Sequence, residues 1–338
     1  MESPSAAPPN GIVLFTYPLS AFGRRVTYYL QLRGIAYAYC EQPFMLPRPD
    51  MAKLGVKYRK VPILAIGRDI YVDSRLILRT LEEKFPEGKL GSDKPEEKFI
   101  EKLLEKYMIE APPVLGSMVG LVPPHLLDVP GFAEDRVGLC DTEWTQEAII
   151  KGQPECLVYM RRLFDFFETT ILADGRNWVL NTDKLSLADI EASWPLDWLI
   201  DLKAPMPPHI VSEKQFPKVY AWISRFRAAL DEAQASSAPK VVTLHGDAAT
   251  DFILQSDFTQ SGGTVDGGDP LGLKAGTEVE VYPSDWASAH RDSGRLIALA
   301  PDEVTIAAQS GGGGQEVHIH APRTGFKVTE IAGSSTRV

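Results

Sequence analysis

The spacing of apolar residues changes character along the chain, and each change marks a different kind of structure. Ile12 to Tyr17 form a short apolar run between Gly11 and Pro18, which suits a buried strand better than a helix. From Ala21 to about Arg33 the apolar residues Phe22, Val26, Tyr29 and Leu30 recur at helical spacing. Ser20 stands ahead of them as an N-cap and Gly34 behind them as a stop. "IAYAYCEQ" offers a second strand, so the chain opens strand, helix, strand, with a parallel pair and a crossover helix as the expected arrangement. "KVPILAI", the turn "GRD" and "IYVD" read as a hairpin whose first strand starts at a proline. "SRLILRTLEEKF" then gives an amphipathic helix with Leu76, Ile77, Leu81 and Phe85 on one face. The order β-α-β, loop, β-β-α is complete by about Gly91.

From Pro95 to about Glu232 helical periods dominate, in "EEKFIEKLLEKYMIEA", "QPECLVYMRRLFDFFETTIL" and "PKVYAWISRFRAALDEA". Within them "LVPPHLLDVPGFAEDR", rich in proline, is expected to be an irregular insertion or loop bordering a pocket. "AQASSAPK" reads as a linker. Beyond it, "GTEVEVYPSDW", "GRLIALAPDEVTIAAQ" and "QEVHIHAPRTGFKVTEI" alternate polar and apolar residues between Gly and Pro turns. Val279 and Val281 are expected to face inward and Glu278 and Glu280 outward, in a small all-β module, SH3-like or sandwich. The expected boundaries are a flexible tail over 1–10, an α/β domain over 11–91, an all-helical domain over 92–235, and a linker with a β-rich module over 236–338.

Length adds that 338 residues suit two or three domains, and 44% hydrophobic with 24% charged residues is ordinary globular composition. A formal charge of -10 disfavours nucleic acid or an anionic membrane as the main partner, because neither finds a concentrated basic surface here. The three cysteines, Cys40, Cys140 and Cys156, lie far apart without CxxC or zinc spacing, which fits a reducing compartment and suggests no structural metal. The N-terminus has no basic region leading into an apolar one, and no run of about eighteen apolar residues occurs, so a cytoplasmic protein is expected.

Nucleophile, phosphate-loop and metal constellations are sparse. His318 and His320 share one face of a strand, and their alternation is read as a polar outer face, not as the start of a metal site. "SGGGGQ" lacks the Lys-Ser/Thr ending of a phosphate loop and is expected to be flexible. The chemistry is therefore expected to be borrowed from a bound molecule. Ser20 stands where a strand ends and a helix N-terminus begins, a place whose backbone N–H groups and positive potential stabilise an anion such as a thiolate. As a plain N-cap its hydroxyl would accept a hydrogen bond from the first turn instead. Tyr17, at the end of the same strand, is the rival donor to such a sulfur, or else a buried aromatic. Arg24 and Arg25 would raise the local potential, or simply meet solvent.

The order of elements, with "KVPIL" and "VDSRLIL" in place, resembles the thioredoxin-like N-terminal domain of the cytosolic glutathione transferases, and the helical stretch resembles their C-terminal domain. The likeness covers about Ile12 to Glu232. It implies a cis Val61–Pro62 bond, with the Val61 backbone holding the cysteinyl part of glutathione. It also implies a grip of Asp73 and Ser74 on the γ-glutamyl end, with Lys60 a weaker candidate for the glycyl carboxylate. "LSLADI" matches the capping box of the family's helical domain, with Ser186 and Asp189 as the box and Leu185 and Ile190 as its staple. Ser20 aligns with the family's catalytic serine or cysteine, and Gly23 with a second cysteine found in redox relatives. Neither is cysteine here, which disfavours thiol transfer or dehydroascorbate reduction. Ala21 stands where proline is frequent. The β-rich C-terminal module resembles extensions on some fungal transferase-like proteins.

The resemblance implies glutathione as co-substrate or cofactor, a hydrophobic small-molecule electrophile bordered by Pro112 to Phe132, and a homodimer. Conjugation, glutathione-dependent isomerisation or elimination, and a non-catalytic binding or scaffold role all stay open.

Overall fold

The computed structural model describes residues 7–110, 112–140, 144–235, 241–260 and 262–331. Residues 1–6 of the expected tail and 236–240 of the expected linker lie outside the described residues. The chain divides into two compact units, one made of 1–26, 36–80 and 239–338, the other of 27–35 and 81–238.

The first unit is a single sheet flanked by helices. Its thioredoxin-like part consists of β1 (Ile12–Thr16), α1 (Ala21–Arg33), β2 (Ala38–Glu41), a short α2 (Pro49–Lys53), β3 (Ile63–Ile66), β4 (Asp69–Val72) and α3 (Ser74–Lys84). β1 pairs parallel with β2 and antiparallel with β3, and β3 pairs antiparallel with β4. The apolar run Ile12 to Phe15 is completely buried, as the unbroken hydrophobic pattern requires of a central strand. Gly34, at φ +60°, ends α1 in the left-handed conformation, with Ile35 N–H bonded to Leu30 O across the turn.

The expected extra strand-rich region is present, and its strands extend the thioredoxin-like sheet instead of forming a separate barrel or sandwich. After β5 (Val242–Thr243) and α10 (Gly246–Gln255) come β6 (Glu278–Pro283), β7 (Asp292–Leu299), β8 (Glu303–Gln309), β9 (Glu316–Pro322) and β10 (Phe326–Glu330). The strand order is β10-β6-β7-β8-β9-β4-β3-β1-β2-β5. β9 adds parallel to β4, and β5 adds parallel to β2, so the C-terminal segment covers both edges of the thioredoxin-like sheet. An uncovered edge leaves a row of unpaired N–H and C=O groups, and the extension satisfies them. One core runs under the whole sheet, joining Val13, Phe15 and Ile70 to Val281, Ile306 and Ile319. Val279 and Val281 are buried as the alternation required. The "SGGGGQ" stretch includes a docked glycine: Gly311 N–H bonds Lys53 O at 2.9 Å, and a Cβ on Gly311 would meet Ala52 O at 2.2 Å.

The second unit is helical, with α4 (Pro95–Glu110), α5 (Pro112–Gly120), α6 (Phe132–Cys140), α7 (Gln146–Thr169), α8 (Leu187–Asp201) and α9 (Pro217–Ala235). Residues 121–136, expected to be irregular, contain a 3-10 turn at Pro124–Asp128 and the start of α6. Leu121, Val122 and Phe132 of this stretch are buried, as are Val114 and Met118 of α5, so part of its apolar content packs the unit's own core. Ser186 and Asp189 form the expected box at the start of α8: the Ser186 N–H and hydroxyl both donate to Asp189 Oδ2 at 2.9 Å. Asp189 Oδ1 also accepts from Trp222 Nε1 at 3.0 Å, which ties α8 to α9. Among the described residues no helix is long and apolar enough to cross a membrane.

Candidate functional site

Ser20 caps α1. Its buried hydroxyl accepts from Gly23 N–H at 3.0 Å, while its carbonyl takes the first helical bond, from Arg24 N–H at 3.0 Å. The bond from Gly23 uses a lone pair and leaves the hydroxyl hydrogen able to donate. Gly23 has no room for any side chain: a Cβ there would lie 2.1 Å from Thr16 Oγ1 and 2.9 Å from Ser20 Cβ. The helix start thus sits tight against the end of β1. Tyr17 is half-buried, its ring edge-on to Phe44 at 6.1 Å and under the Arg48 guanidinium at 5.8 Å.

Arg25, expected to raise the potential or meet solvent, is fully buried and donates from Nη1 to Ser74 Oγ at 2.9 Å. This bond brings the start of α1 and the start of α3 together, and hence Ser20 and the Asp73–Ser74 pair into one region. Asp73 turns the chain from β4 into α3 at φ +73°, a conformation that costs a non-glycine residue on the order of 1–2 kcal/mol. Its carbonyl accepts from Ile77 N–H, and its carboxylate is forked by Arg75, Nε to Oδ1 at 2.9 Å and Nη2 to Oδ2 at 2.8 Å. Burial opposes the charge on Asp73, but Arg75 overcomes that and holds the carboxyl below its ordinary range.

The Val61–Pro62 bond is cis, as the resemblance implied, and so is Leu46–Pro47. The loop ahead of Val61 is held by the C-terminal strands. Asp292 Oδ1 accepts from the N–H groups of Lys57 at 2.5 Å and Tyr58 at 3.3 Å, and the Tyr58 ring stacks on Phe326 at 5.8 Å. Burial pushes the Asp292 carboxyl up to about 7. Lys60 Nζ pairs with Asp285 Oδ1 at 2.6 Å, so the lysine considered for a ligand carboxylate already has an acidic partner. Among the cysteines, burial, with help from Asp50, pushes the Cys40 thiol up to about 12, far from a reactive thiolate.

Sequence reading missed the buried Arg25, the Arg75 fork, and the roles of Asp285 and Asp292. The first two carry a local signal, since arginines lie in the first turns of α1 and α3; the last two depend on a register that no local pattern encodes. It also misread His318 and His320. β9 is an interior strand, His320 is buried and His318 partly so, and both face Asp69 of β4.

Residues 14–89 match the family model for the glutathione S-transferase N-terminal domain, and residues 118–235 match a domain of unknown function, DUF7962. Glutathione S-transferase U3 of Arabidopsis thaliana is 27% identical over 108 residues, 32% of this chain and 48% of that protein. Glutathione S-transferase U6 of the same plant is 22% identical over 211 residues, 62% of this chain and 81% of that protein. The chain spans about half the length of the first curated relatives it matches, 48% of U3 and 44% of U1. Among solved structures, a GST-like protein from Pseudomonas syringae aligns with a TM-score of 0.67 at 21% identity, covering 95% of this chain and 100% of that one. Over residues 14–89 the chain is similar to the N-terminal domain of the glutathione S-transferases, and its curated relatives carry that name. Its fold, which reaches into the C-terminal strands, is shared with that bacterial GST-like protein.

Proposed function

We propose that the chain is a glutathione-dependent transferase that activates the glutathione thiol for attack on a hydrophobic electrophilic small molecule. The observation that carries this reading is the Arg25–Ser74 bond, which joins two helix N-termini, one capped by Ser20 and the other opened by Asp73 and Ser74. Two positive helix ends fit a ligand with an ionisable thiol and a carboxylate. Glutathione, when bound, supplies the thiol nucleophile. The chain's own residues do the rest. Ser20 donates its hydroxyl hydrogen to the sulfur, and the α1 terminus favours the charged form. The Val61 backbone, which follows the anchored 57–60 loop, positions the cysteinyl part. Ser74 and the α3 terminus hold the γ-glutamyl carboxylate, and the Asp73 carboxylate faces its amino group. Ser20 is taken over Tyr17 as the thiol donor because its hydroxyl sits at the N-terminus of α1.

Whether the overall reaction is conjugation or a glutathione-dependent isomerisation or elimination depends on the electrophile. A cytoplasmic homodimer is part of the same proposal, and its oligomeric state is tested by light scattering of the purified chain. Retention on immobilised glutathione, followed by thiol consumption with model electrophiles, tests the activity. Ser20→Ala is expected to lose most of the turnover and Tyr17→Phe to keep it. Failure of the wild-type chain to bind glutathione would leave the binding or scaffold role in its place.

A further inference from the structure

Across the junction of β4 and β9, Asp69 pairs with His318, Ile70 with Ile319 and Tyr71 with His320. Alternation therefore puts Asp69, His318 and His320 on one face, with the isoleucines on the core side. His320 Nε2 lies 3.1 Å and His318 Nδ1 3.3 Å from the same atom, Asp69 Oδ1. One ligand atom from each of the three residues falls within 4.8 Å of the others. Two ligand atoms sharing a tetrahedral ion at about 2.0–2.1 Å stand a little over 3 Å apart, the spacing seen on both sides of Asp69 Oδ1.

Each of these side chains is also oriented from behind. Glu303 Oε1 is 2.9 Å from His320 Nδ1, and Glu316 Oε1 is 3.6 Å from His318 Nε2. Asp69 Oδ2 accepts from Thr259 N–H at 2.6 Å, Thr259 Oγ1 at 2.8 Å and Gln260 N–H at 3.0 Å, which leaves Oδ1 as the inward-facing oxygen. Stacking fixes both rings, His318 under Phe258 at 3.8 Å and His320 under Tyr71 at 4.5 Å. Carboxylates behind metal-binding imidazoles are a recurrent outer arrangement, because they set the tautomer and the ring direction. Thr305 Oγ1, 3.2 Å from His320 Nδ1, completes the group.

We propose that Asp69 Oδ1, His318 Nδ1 and His320 Nε2 form a binding site for a divalent transition-metal ion, zinc best matching two imidazoles and one carboxylate. The partly exposed His318 side leaves the fourth position to water. Because Asp69 belongs to β4 and the histidines to β9, the ion staples the C-terminal strands to the thioredoxin-like sheet, and its role is structural. The site is independent of the glutathione reading.

The test uses the full chain, stripped with a chelator and dialysed. Zinc chloride is titrated in competition with a chromophoric chelator, and cobalt(II) is added in parallel to report coordination by its visible absorption. Expected are one zinc per chain, cobalt bands of a four-coordinate site, and a higher melting temperature with zinc. His318→Gln, at the most exposed ligand, is expected to weaken zinc at least about 100-fold and to abolish the thermal shift. His209→Gln, at an exposed histidine elsewhere, is expected to change neither. X-ray absorption of the zinc-loaded wild-type chain, which needs no variant, is expected to show two imidazoles. No stoichiometric zinc on the wild-type chain, zinc bound equally by His318→Gln, or a zinc environment lacking imidazole overturns the proposal; glutathione binding, measured separately, is untouched by any of these results.

Discussion

Replacing Asp292 by asparagine removes a buried carboxyl that fixes the loop in front of Val61 while keeping its shape. The amide oxygen of asparagine can still accept from the Lys57 and Tyr58 N–H groups, as Asp292 Oδ1 does. Burial raises this carboxyl from its ordinary value of 3.8 to about 7, so the folded chain holds a proton that the unfolded chain releases. Between about pH 4 and pH 7 the native state binds more protons than the unfolded state, and stability falls as pH rises. At roughly 1.4 kcal/mol for each tenfold change in proton affinity, the penalty approaches about 4 kcal/mol above pH 7. The amide does not ionise and would carry no such penalty. Urea-unfolding midpoints of wild type and Asp292→Asn, measured from about pH 4 to pH 8, are expected to diverge through that window, with the variant gaining and the difference levelling off above pH 7. Parallel curves would refute the reasoning, because they would mean that Asp292 is ionised in the fold without cost.

Gly23→Ala is expected to destabilise the chain by about 1–3 kcal/mol despite better helix propensity, and Thr16→Ala in the same chain to recover part of the loss, as read by thermal melting. Arg25→Met leaves the Ser74 hydroxyl without its buried donor; a stability loss on the order of 2–4 kcal/mol and weaker glutathione binding are expected by melting and calorimetry. Asp285→Ala releases Lys60 from a partly exposed pair, so stability should change by less than about 1 kcal/mol while glutathione affinity rises, measured by calorimetry.

Local features were legible where a few neighbouring residues decide them. Ser20 and Gly34 bracket α1 because a cap acts within one turn, and the Ser186–Asp189 box closes within three residues. The hairpin ahead of α3 followed from two short strand-like runs and the turn residues between them. What stayed hidden were long-range partners. Alternation in "QEVHIHAP" sets which residues share a face, not which strand that face adjoins, and His320 meets Asp69 across 251 residues. The histidine face was therefore taken for an outer one, when β4 and β8 flank it on either side. The extension was taken for a separate module for the same reason: nothing local states that β9 covers the β4 edge. At the site, the Asp73–Ser74 pair was readable, but the Arg75 fork and the Asp285 partner of Lys60 depend on side-chain direction and on the β6–β7 loop.

The central claim, that this chain binds glutathione and lowers the pKa of its thiol at Ser20, is tested most directly by the ultraviolet absorbance of the thiolate. Glutathione is titrated from about pH 5 to about pH 9, across the ordinary thiol range, with and without saturating protein. A midpoint below that of free glutathione is expected with the wild-type chain, and one closer to the free value with Ser20→Ala. A wild-type midpoint equal to that of free glutathione would contradict the claim.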